Sequence, residues 1–221
     1  KNGTVLVFDE MWTGFRVALG GAQQYFGVNA DLACFSKAVA NGMPLSILTG
    51  KKEIMSLLDK EVFFFNTFGG EALSLAAAKA TINEMIDKNV QAYLAKQGNK
   101  LKTGYNKIAE KLGMNFTKCS GFDCRTIITF DGEKSGCNPL EMKSLVQQEM
   151  IKRGILWGGF HNMSFSHSDE DIDYTLKAYE DVLPILKNAV EEKDVKKYLK
   201  GEPLEPVFRK VGNFNIKPKK K

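Results

Sequence analysis

The sequence lacks the features that mark several classes of protein. Its 221 residues contain no apolar run of about 18 or more, the length that a membrane-spanning helix needs, so we expect no membrane partner. The four cysteines include no Cys-x-x-Cys pair, and the two histidines are six positions apart, so we predict reduced thiols and no metal site. No leader-like sequence opens the chain, and a cytoplasmic protein is therefore the expectation.

The excess of positive charge is concentrated in one terminal segment. The formal net charge is +5, and Lys217 and Lys219–Lys221 carry four of these charges, so the rest of the chain is close to neutral. No aromatic residues interleave with these lysines, as they do in many nucleic-acid-binding surfaces. The pattern is typical of a solvated tail, and we predict no nucleic-acid partner.

The apolar pattern of the first half predicts an α/β fold. Val5–Phe8 is an unbroken apolar run that ends in Asp9, which is typical of a buried strand of a parallel sheet. Similar short runs predict strands at Leu32–Ser36 and Leu45–Thr49. Strong helix formers with one apolar face predict a helix from Glu71 onward.

The second half of the chain predicts a smaller α+β unit. The predicted elements are a helix over 90–112, a strand over 126–130, a helix over 139–153, a strand over 155–157 and a last long helix. Ser168 precedes three acidic residues at the start of that last helix, a pattern that suits the helix dipole. Beyond Val190 the sequence is charged and interrupted by prolines, which is typical of a surface extension.

Three polar residues stand where an α/β enzyme could use them. Asp9 ends the first predicted strand, Lys37 directly follows the second, and Thr67 lies in a Gly-rich turn before a helix. Each of them also has an ordinary explanation when it is taken alone. Asp9 could cap a helix or end the magnesium-holding strand of a P-loop ATPase, Lys37 could be a solvated surface lysine, and Thr67 could be part of a turn. The 28 residues from Asp9 to Lys37 suffice for a strand, crossover, strand unit, which would bring both side chains to one edge of the sheet.

The residues around these three positions resemble the class III pyridoxal-phosphate-dependent aminotransferases, in particular relatives of glutamate-1-semialdehyde 2,1-aminomutase. The matching segments are Phe-Asp-Glu-Met-Trp-Thr-Gly-Phe-Arg at 8–16, Phe-Ser-Lys-Ala-Val-Ala-Asn-Gly-Met-Pro at 35–44 and Asn-Thr-Phe-Gly-Gly-Glu at 66–71. Further matches occur at 152–156 and 167–173. The likeness therefore covers most of the chain.

The resemblance implies a cofactor, pyridoxal 5'-phosphate, and a role for four residues. Lys37 matches the lysine that forms a Schiff base with the cofactor, and burial would lower the pKa of its amine. Asp9 matches the carboxylate beside the ring nitrogen, which keeps that nitrogen protonated. Met11 would pack against the cofactor ring or, equally, belong to the core. Thr67 matches a phosphate contact made across a dimer interface, at a helix N-terminus with free amides.

Two arginines are candidates for contacts with the substrate. Arg16 and Arg125 could pair with a carboxylate, since arginine binds carboxylates bidentately, or they could form ordinary ion pairs at the surface. The ornithine-type branch of the family presents an arginine near His161, Asn162 and His167, and this sequence has none there. An ornithine-type substrate is therefore not expected.

The family also implies a fold-type I architecture in three parts. Residues 1–98 would be the second part of the cofactor-binding large domain, a mostly parallel sheet with helices, 99–190 the small C-terminal α+β domain, and 191–221 a charged extension. In the family, the turn that cups the phosphate and the ring that stacks on the cofactor precede the first strand of this chain. We therefore expect a fragment or one piece of a split enzyme, inactive without the N-terminal half, and working as a homodimer.

Four functions remain open at this point. Transfer of an amino group from a donor to an oxo compound is the leading hypothesis, and exchange within one substrate, as in the aminomutase, is the second. A P-loop ATPase is disfavoured because the sequence has no Gly-x-x-x-x-Gly-Lys-Ser/Thr. A dimerising scaffold without cofactor is disfavoured because nothing structural requires Asp9, Lys37 and Thr67 together.

Overall fold

A computed structural model describes residues 2–205, and the chain divides into two compact units. The first unit comprises the residues up to Lys100, Gly121–Thr126 and Asn162–Ile172. The second unit comprises Leu101–Ser120, Ile127–His161 and the described residues from Asp173 to Glu205. The predicted domain boundaries stay a prediction, and residues 206–221 of the predicted extension lie outside the described residues.

Within residues 2–205 the chain forms seven α-helices and six β-strands. The helices are α1 (Gly21–Phe26), α2 (Lys52–Met55), α3 (Ala72–Asp87), α4 (Val90–Lys111), α5 (Gly132–Ser135), α6 (Pro139–Lys152) and α7 (Asp169–Glu191). The strands are β1 (Val7–Asp9), β2 (Leu32–Phe35), β3 (Ile47–Gly50), β4 (Thr117–Phe122), β5 (Arg125–Phe130) and β6 (Phe160–Asn162). The long predicted helices are found to within a few residues at their ends, where helix assignments commonly differ.

The sheet of the first unit is mixed, which corrects the expectation of a mostly parallel sheet for this part of the chain. Its strand order is β1-β2-β3, with β1 parallel to β2 and β2 antiparallel to β3. Residues 36–46, which connect β2 to β3, are too few for the helical crossover that a parallel pair requires. The parallel pair sets Asp9 opposite Cys34, so the chain leaves both strands at the same edge.

Strand β1 is not buried within the described chain, contrary to expectation. Val5, Leu6 and Val7 are 53%, 43% and 51% exposed. The reason is the position of β1 at the edge of the sheet, where no element of residues 2–205 covers these side chains. The apolar run therefore predicts a strand correctly but does not predict its burial in this chain.

A small apolar cluster fixes the turn after β2. Lys37–Val39 form one turn of 3₁₀-helix, and Val39 and Ala40 are buried against Ala78 of α3. Phe15 and Ile82 pack against the same cluster. Because these side chains hold the turn on α3, the position of the preceding backbone at Lys37 is fixed as well.

The sheet of the smaller α+β part has the order β4-β5-β6. The strand predicted over 155–157 is wrong, and the strand lies instead at β6, after two glycines. Trp157 is buried but Leu156 is 94% exposed, so these apolar residues form a loop that anchors a single side chain. Strand β4 was not expected, because its alternation of Thr117, Cys119 and Gly121 carries little apolar signal.

The core of the second unit contains a hydrogen-bonded aromatic group. The rings of Tyr105 and Tyr179 are fully buried and meet edge to face, with 4.9 Å between ring centroids. The Tyr179 hydroxyl lies 2.7 Å from His161 Nε2, and the Tyr105 hydroxyl lies 2.7 Å from Thr117 Oγ1. Burial lowers the pKa of His161 to about 4, so His161 is neutral at physiological pH.

Candidate active site

A cavity of about 470 Å³ lies in the first unit, where the chain leaves β1 and β2. Ligands of open α/β sheets bind at this edge, beyond the carboxyl ends of the strands. The residues that line the cavity are Met11, Trp12, Arg16, Ser36, Lys37, Ala38, Asn41, Gly42, Met43, Pro44, Leu45 and Asn162. Three of the six predicted site residues, namely Met11, Arg16 and Lys37, are therefore in its wall.

Lys37 has a backbone conformation that side-chain-bearing residues rarely adopt. Its φ is +50°, in the left-handed region, which costs an L-residue on the order of 1–3 kcal/mol. Such strain persists only where the surrounding structure imposes it, here through the packing of Val39 and Ala40 on α3. The expected burial of the Lys37 side chain is not found, because Val39 and Ala40 occupy the buried positions of this turn and Lys37 is exposed.

Trp12 is a site residue that the sequence did not identify. Lys37 Nζ lies 5.3 Å from the centroid of the Trp12 ring, and Arg125 Cζ lies 3.3 Å from it. A cation near the face of an indole is attracted by the ring quadrupole. The only signal in the sequence was the position of Trp12, next to Met11 in the segment that follows β1.

Asp9 lies beside the cavity and does not line it. Its side chain is exposed, and its Oδ1 accepts a hydrogen bond of 3.0 Å from the backbone N–H of Met11. Asp9 and Lys37 follow neighbouring parallel strands at the same edge of the sheet. The structure thus brings the two residues to one edge, with Asp9 outside the cavity wall.

Glu10 is a second residue that sequence reasoning did not single out. It is fully buried, and its carboxylate accepts hydrogen bonds from the backbone N–H groups of Ala22 (2.8 Å) and Gln23 (3.1 Å) and from the Thr13 hydroxyl. These bonds tie the segment after β1 to the start of α1. Since Met11 and Trp12 belong to that segment, Glu10 holds part of the cavity wall in place.

Arg16 is held by three neutral acceptors in the first unit. Its Nη2 donates to Met163 O (2.7 Å), Asn162 Oδ1 (3.0 Å) and Cys124 O (3.2 Å). Burial lowers the pKa of Arg16, the neighbouring Cys124 raises it, and the charge of Arg125 lowers it further. Arg125 itself is exposed, lies over Trp12 and is absent from the cavity wall.

Thr67 is not brought to the cavity within the described chain. It lies in an exposed segment, Val62–Phe68, in which Phe63 is 92% and Phe68 is 80% exposed. At the start of α3 the carboxylate of Glu71 accepts from Leu73 N (2.7 Å) and Ser74 N (2.8 Å), so two of the amides that were expected to be free for an anion are already bound.

Residues 2–205 contain neither a helix suited to crossing a membrane nor a cluster of metal-binding side chains. No helix in this range combines the length and the apolar character needed to cross a membrane. In the same range, no group of three or more His, Cys, Asp or Glu side chains is arranged to hold a metal ion.

The sequence matches one protein family over most of its length. The profile of the family Aminotransferase class-III matches residues 1–171. The chain is 35% identical over 198 residues to glutamate-1-semialdehyde 2,1-aminomutase of Clostridium novyi, covering 83% of this chain and 45% of that protein. It is 33% identical over 187 residues to 3-aminobutyryl-CoA aminotransferase of Cloacimonas acidaminovorans, covering 83% and 44%. The chain thus spans about half the length of these relatives.

Solved structures share the fold. The FumI protein of Sphingopyxis sp. MTA144, in its PLP internal aldimine form, superposes with a TM-score of 0.77 at 24% identity, covering 89% of this chain and 47% of that one. An omega-transaminase from Sphaerobacter thermophilus gives a TM-score of 0.75 at 20% identity, covering 84% and 45%. The fold is therefore that of fold-type I transaminases, as the sequence predicted, and the described chain corresponds to about half of it.

Proposed function

Because this chain belongs to the class-III aminotransferase family, we propose that it forms part of a pyridoxal-phosphate enzyme that moves an amino group between an amino donor and an oxo compound. One observation carries the proposal. Lys37, in a strained left-handed conformation, lines a cavity at the edge where two parallel strands end. Backbone strain is concentrated at functional sites, and here it is combined with a position in the cavity wall.

The residues of the cavity fit the cofactor chemically. The wall contains one primary amine, Lys37, which suits an aldehyde, and the further cation Arg16, which suits an anion. None of the residues that line it is acidic. Met11 and Trp12 add apolar surface that suits a flat ring. An anionic, aromatic aldehyde such as pyridoxal 5'-phosphate meets each of these groups.

Three residues of this chain would hold the cofactor directly. Lys37 would bind it through the side-chain amine, Asp9 would face its ring nitrogen and Met11 would pack against its ring. The bound cofactor supplies an electron sink for the electron pair that remains when a substrate carbon loses its proton. The part of Lys37 in the reaction is proton transfer, since its neutral amine can accept a proton and its ammonium can return it.

Asp9 requires the remainder of the protein to act in this way. Its carboxylate is exposed in the described chain and lies next to β1, whose apolar residues are uncovered. A covered carboxylate beside a ring nitrogen favours the protonated nitrogen, and an exposed one is screened by water. We therefore expect the role of Asp9 to appear only in the complete enzyme.

The proposal includes a homodimer in which Thr67 contacts the cofactor phosphate of the partner subunit. The Val62–Phe68 segment supports it, because it exposes several large aromatic side chains next to Thr67. Contiguous exposed apolar surface of this kind marks sites where proteins associate. The uncharged hydroxyl of Thr67 would then lie at the edge of an interface rather than in open solvent.

Exchange of an amino group within one substrate is the second candidate. It is favoured by the 35% identity to the aminomutase of Clostridium novyi, although 3-aminobutyryl-CoA aminotransferase is nearly as similar, at 33%. Product analysis separates the two reactions. Transfer requires a separate acceptor, whereas exchange converts a single substrate to its isomer in the absence of any acceptor.

The proposal is tested by replacing the amine. In the complete enzyme, we expect Lys37→Ala to lower the rate of amino transfer by at least about 10²–10⁴-fold, since both attachment and proton transfer are lost. Borohydride reduction followed by mass spectrometry should place the cofactor on the peptide that contains Lys37. The matched control is Lys52→Ala, which removes an exposed lysine in the same unit and should change neither result.

Two outcomes would contradict the proposal. An active enzyme whose Lys37 peptide stays unmodified after reduction would exclude the role of Lys37. A complete enzyme that binds no pyridoxal phosphate but still dimerises would favour the scaffold function instead. Because Lys37 is exposed, Lys37→Ala should leave the free energy of unfolding nearly unchanged, so a loss of activity cannot be attributed to unfolding.

A further inference from the structure

We propose that Trp12, held in place by Arg125, limits the size of the group that can lie beside the amine of Lys37, so that the enzyme selects amines whose reacting carbon carries, besides its main chain, nothing larger than a methyl group. This inference deepens the proposed function and rests on it for the identity of the substrate as an amine. It depends on the fixed backbone at Trp12, on the stacking of Arg125 against its ring, and on the distance from that ring to Lys37.

The backbone around Trp12 is held from two sides. Gly14 N donates to Glu10 O (2.9 Å), which closes a turn over 10–14, and the buried carboxylate of Glu10 ties this turn to the start of α1. A Cβ atom at position 14 would lie 2.5 Å from the ring of Phe35 and 2.7 Å from Glu10 O, closer than real Cβ contacts. The turn is therefore packed tightly against β2, and Trp12 lies in its middle.

The ring of Trp12 is held by a cation that is itself anchored. Arg125 Cζ lies 3.3 Å from the centroid of the indole, as in a stacked guanidinium. The carbonyl of the preceding residue, Cys124, accepts hydrogen bonds from Arg16 Nη2 (3.2 Å) and Met163 N (3.0 Å), which fix the start of β5. Stacking on a held guanidinium restricts the indole to one orientation. Arg125 is therefore a positioning residue that acts through Trp12.

The indole lies close to the amine that would carry the reaction. Lys37 Nζ is 5.3 Å from the centroid of the Trp12 ring, and both side chains line the same cavity. A carbon bonded to this nitrogen, about 1.5 Å from it, could come within about 3.8 Å of the centroid, which is ordinary contact between carbon atoms. A branch that extends from that carbon towards the indole would overlap the ring.

The other side chains of the cavity are less suited to set such a limit. Among the described residues that line it, Trp12 is the only aromatic one. Met11 and Met43 are unbranched and adapt their shape to a ligand, and Ala38 and Gly42 occupy little space. The rigid part of the wall beside Lys37 is therefore the indole.

The size limit is measured on Lys37 itself, in the complete protein freed of bound cofactor. Acetaldehyde and the bulkier 2,2-dimethylpropanal each condense with a lysine amine with loss of water. Cyanoborohydride then delivers a hydride to the carbon of the C=N bond, and water a proton to its nitrogen, which leaves a stable secondary amine. Peptide mass spectrometry gives the labelling of Lys37 relative to that of Lys52, an exposed lysine of the same unit that serves as the internal reference. We expect this relative labelling to be lower by about tenfold or more for the bulky aldehyde.

Variants separate the two residues. Trp12→Ala should raise the relative labelling of Lys37 by the bulky aldehyde about tenfold and leave that by acetaldehyde within about threefold. Arg125→Gln should raise it about threefold, because the ring remains but can turn aside, and Arg125→Lys should restore part of the limit, because a cation stays near the ring. Trp12→Phe keeps a ring and should change it by less than about threefold. Trp12 is 41% exposed, so these variants should fold, which circular dichroism checks.

The same limit should appear in the turnover of the cofactor-loaded enzyme. The donors 2-aminopentane and 4-aminoheptane differ only in the second group on the reacting carbon, which is methyl in the first and propyl in the second. We expect kcat/KM to be lower by about tenfold or more for 4-aminoheptane, and Trp12→Ala to narrow this difference to about threefold or less. Size-dependent labelling of Lys37 without turnover of any amine would refute the proposed function and leave the limit set by Trp12 standing.

Two results would overturn the inference. If the bulky aldehyde labels Lys37 equally well in the wild type and in Trp12→Ala, the indole does not limit the space beside the amine. If Trp12→Ala removes the limit but Arg125→Gln keeps it at the wild-type value, the ring is held by its own backbone and Arg125 has no part in selection.

Discussion

The two units of the molecule differ in the burial of their large apolar side chains. In the second unit Tyr105, Tyr179 and Leu183 are fully buried, and Tyr179 contacts Tyr105 and His161 of the same unit. In the first unit β1 and the Val62–Phe68 segment leave large apolar side chains exposed. The comparison indicates that the second unit is stabilised by its own contacts, whereas the first presents surface that suits a further polypeptide.

The largest expected effect tests the internal core of the second unit. We expect Tyr179→Ala to lower the free energy of unfolding of this unit by about 3–5 kcal/mol, because it removes a fully buried ring and its contacts with Tyr105 and His161. Urea denaturation followed by circular dichroism measures the change. Tyr174→Ala on the same helix is the control, since Tyr174 is 57% exposed and should cost about 1 kcal/mol or less. Equal costs for the two variants would remove the distinction between the units.

A second prediction concerns pH. The pKa of His161 is about 4 in the folded chain against 6.5 for the free side chain, so the folded state favours the neutral ring. The stability that this contributes is complete above pH 6.5 and is lost as the pH falls from 6.5 to about 4, because the unfolded state then takes up a proton that the folded state does not. The loss amounts to about 3 kcal/mol over that range.

The variant that isolates this effect is His161→Gln, which keeps a polar partner for Tyr179 but does not titrate in this range. Denaturation midpoints measured between pH 4 and pH 7 should fall more steeply for the wild type than for His161→Gln. Parallel curves would mean that the ring of His161 is accessible to protons in the folded chain, and that the core of the second unit is less closed than the structure indicates.

The smallest expected effect lies in the first unit. Phe63 is 92% exposed, so Phe63→Ser should change the free energy of unfolding of this chain alone by no more than about 0.5 kcal/mol. In the complete protein the same change should weaken dimerisation, measured by analytical ultracentrifugation. A destabilisation of the isolated chain by 2 kcal/mol or more would contradict the comparison, because the side chain would then be buried within it.

Part of the fold could be predicted from local sequence patterns. The long helices have strong periodic signals, and Ser168 before three acids predicted the start of α7. The antiparallel pairing of β3 was missed, although the short connection over 36–46 leaves no room for the crossover of a parallel pair. The exposure of Val5–Val7 was not predicted either, since a run of apolar residues shows that a strand is covered in some state of a protein, but not by which polypeptide.

The residues of the candidate site that could be predicted from the sequence were those that belong to sequence motifs. Lys37 and Met11 stand in known sequence contexts, and the structure places both in the cavity wall. Glu10 and Trp12 were passed over because their roles arise from distant partners: the amides of α1 for Glu10, and the guanidinium of Arg125 for Trp12. Such contacts form only in the folded chain, so no local sequence pattern predicts them.

The left-handed backbone at Lys37 restricts how the site can be redesigned. Glycine adopts a φ of +50° without a steric cost and asparagine tolerates it, whereas a β-branched residue would force the turn to open. A variant that lacks the amine but keeps the conformation of the turn should therefore carry glycine at position 37 rather than valine. The loop would keep its form after the amine is gone, so that ligand recognition can be studied apart from turnover.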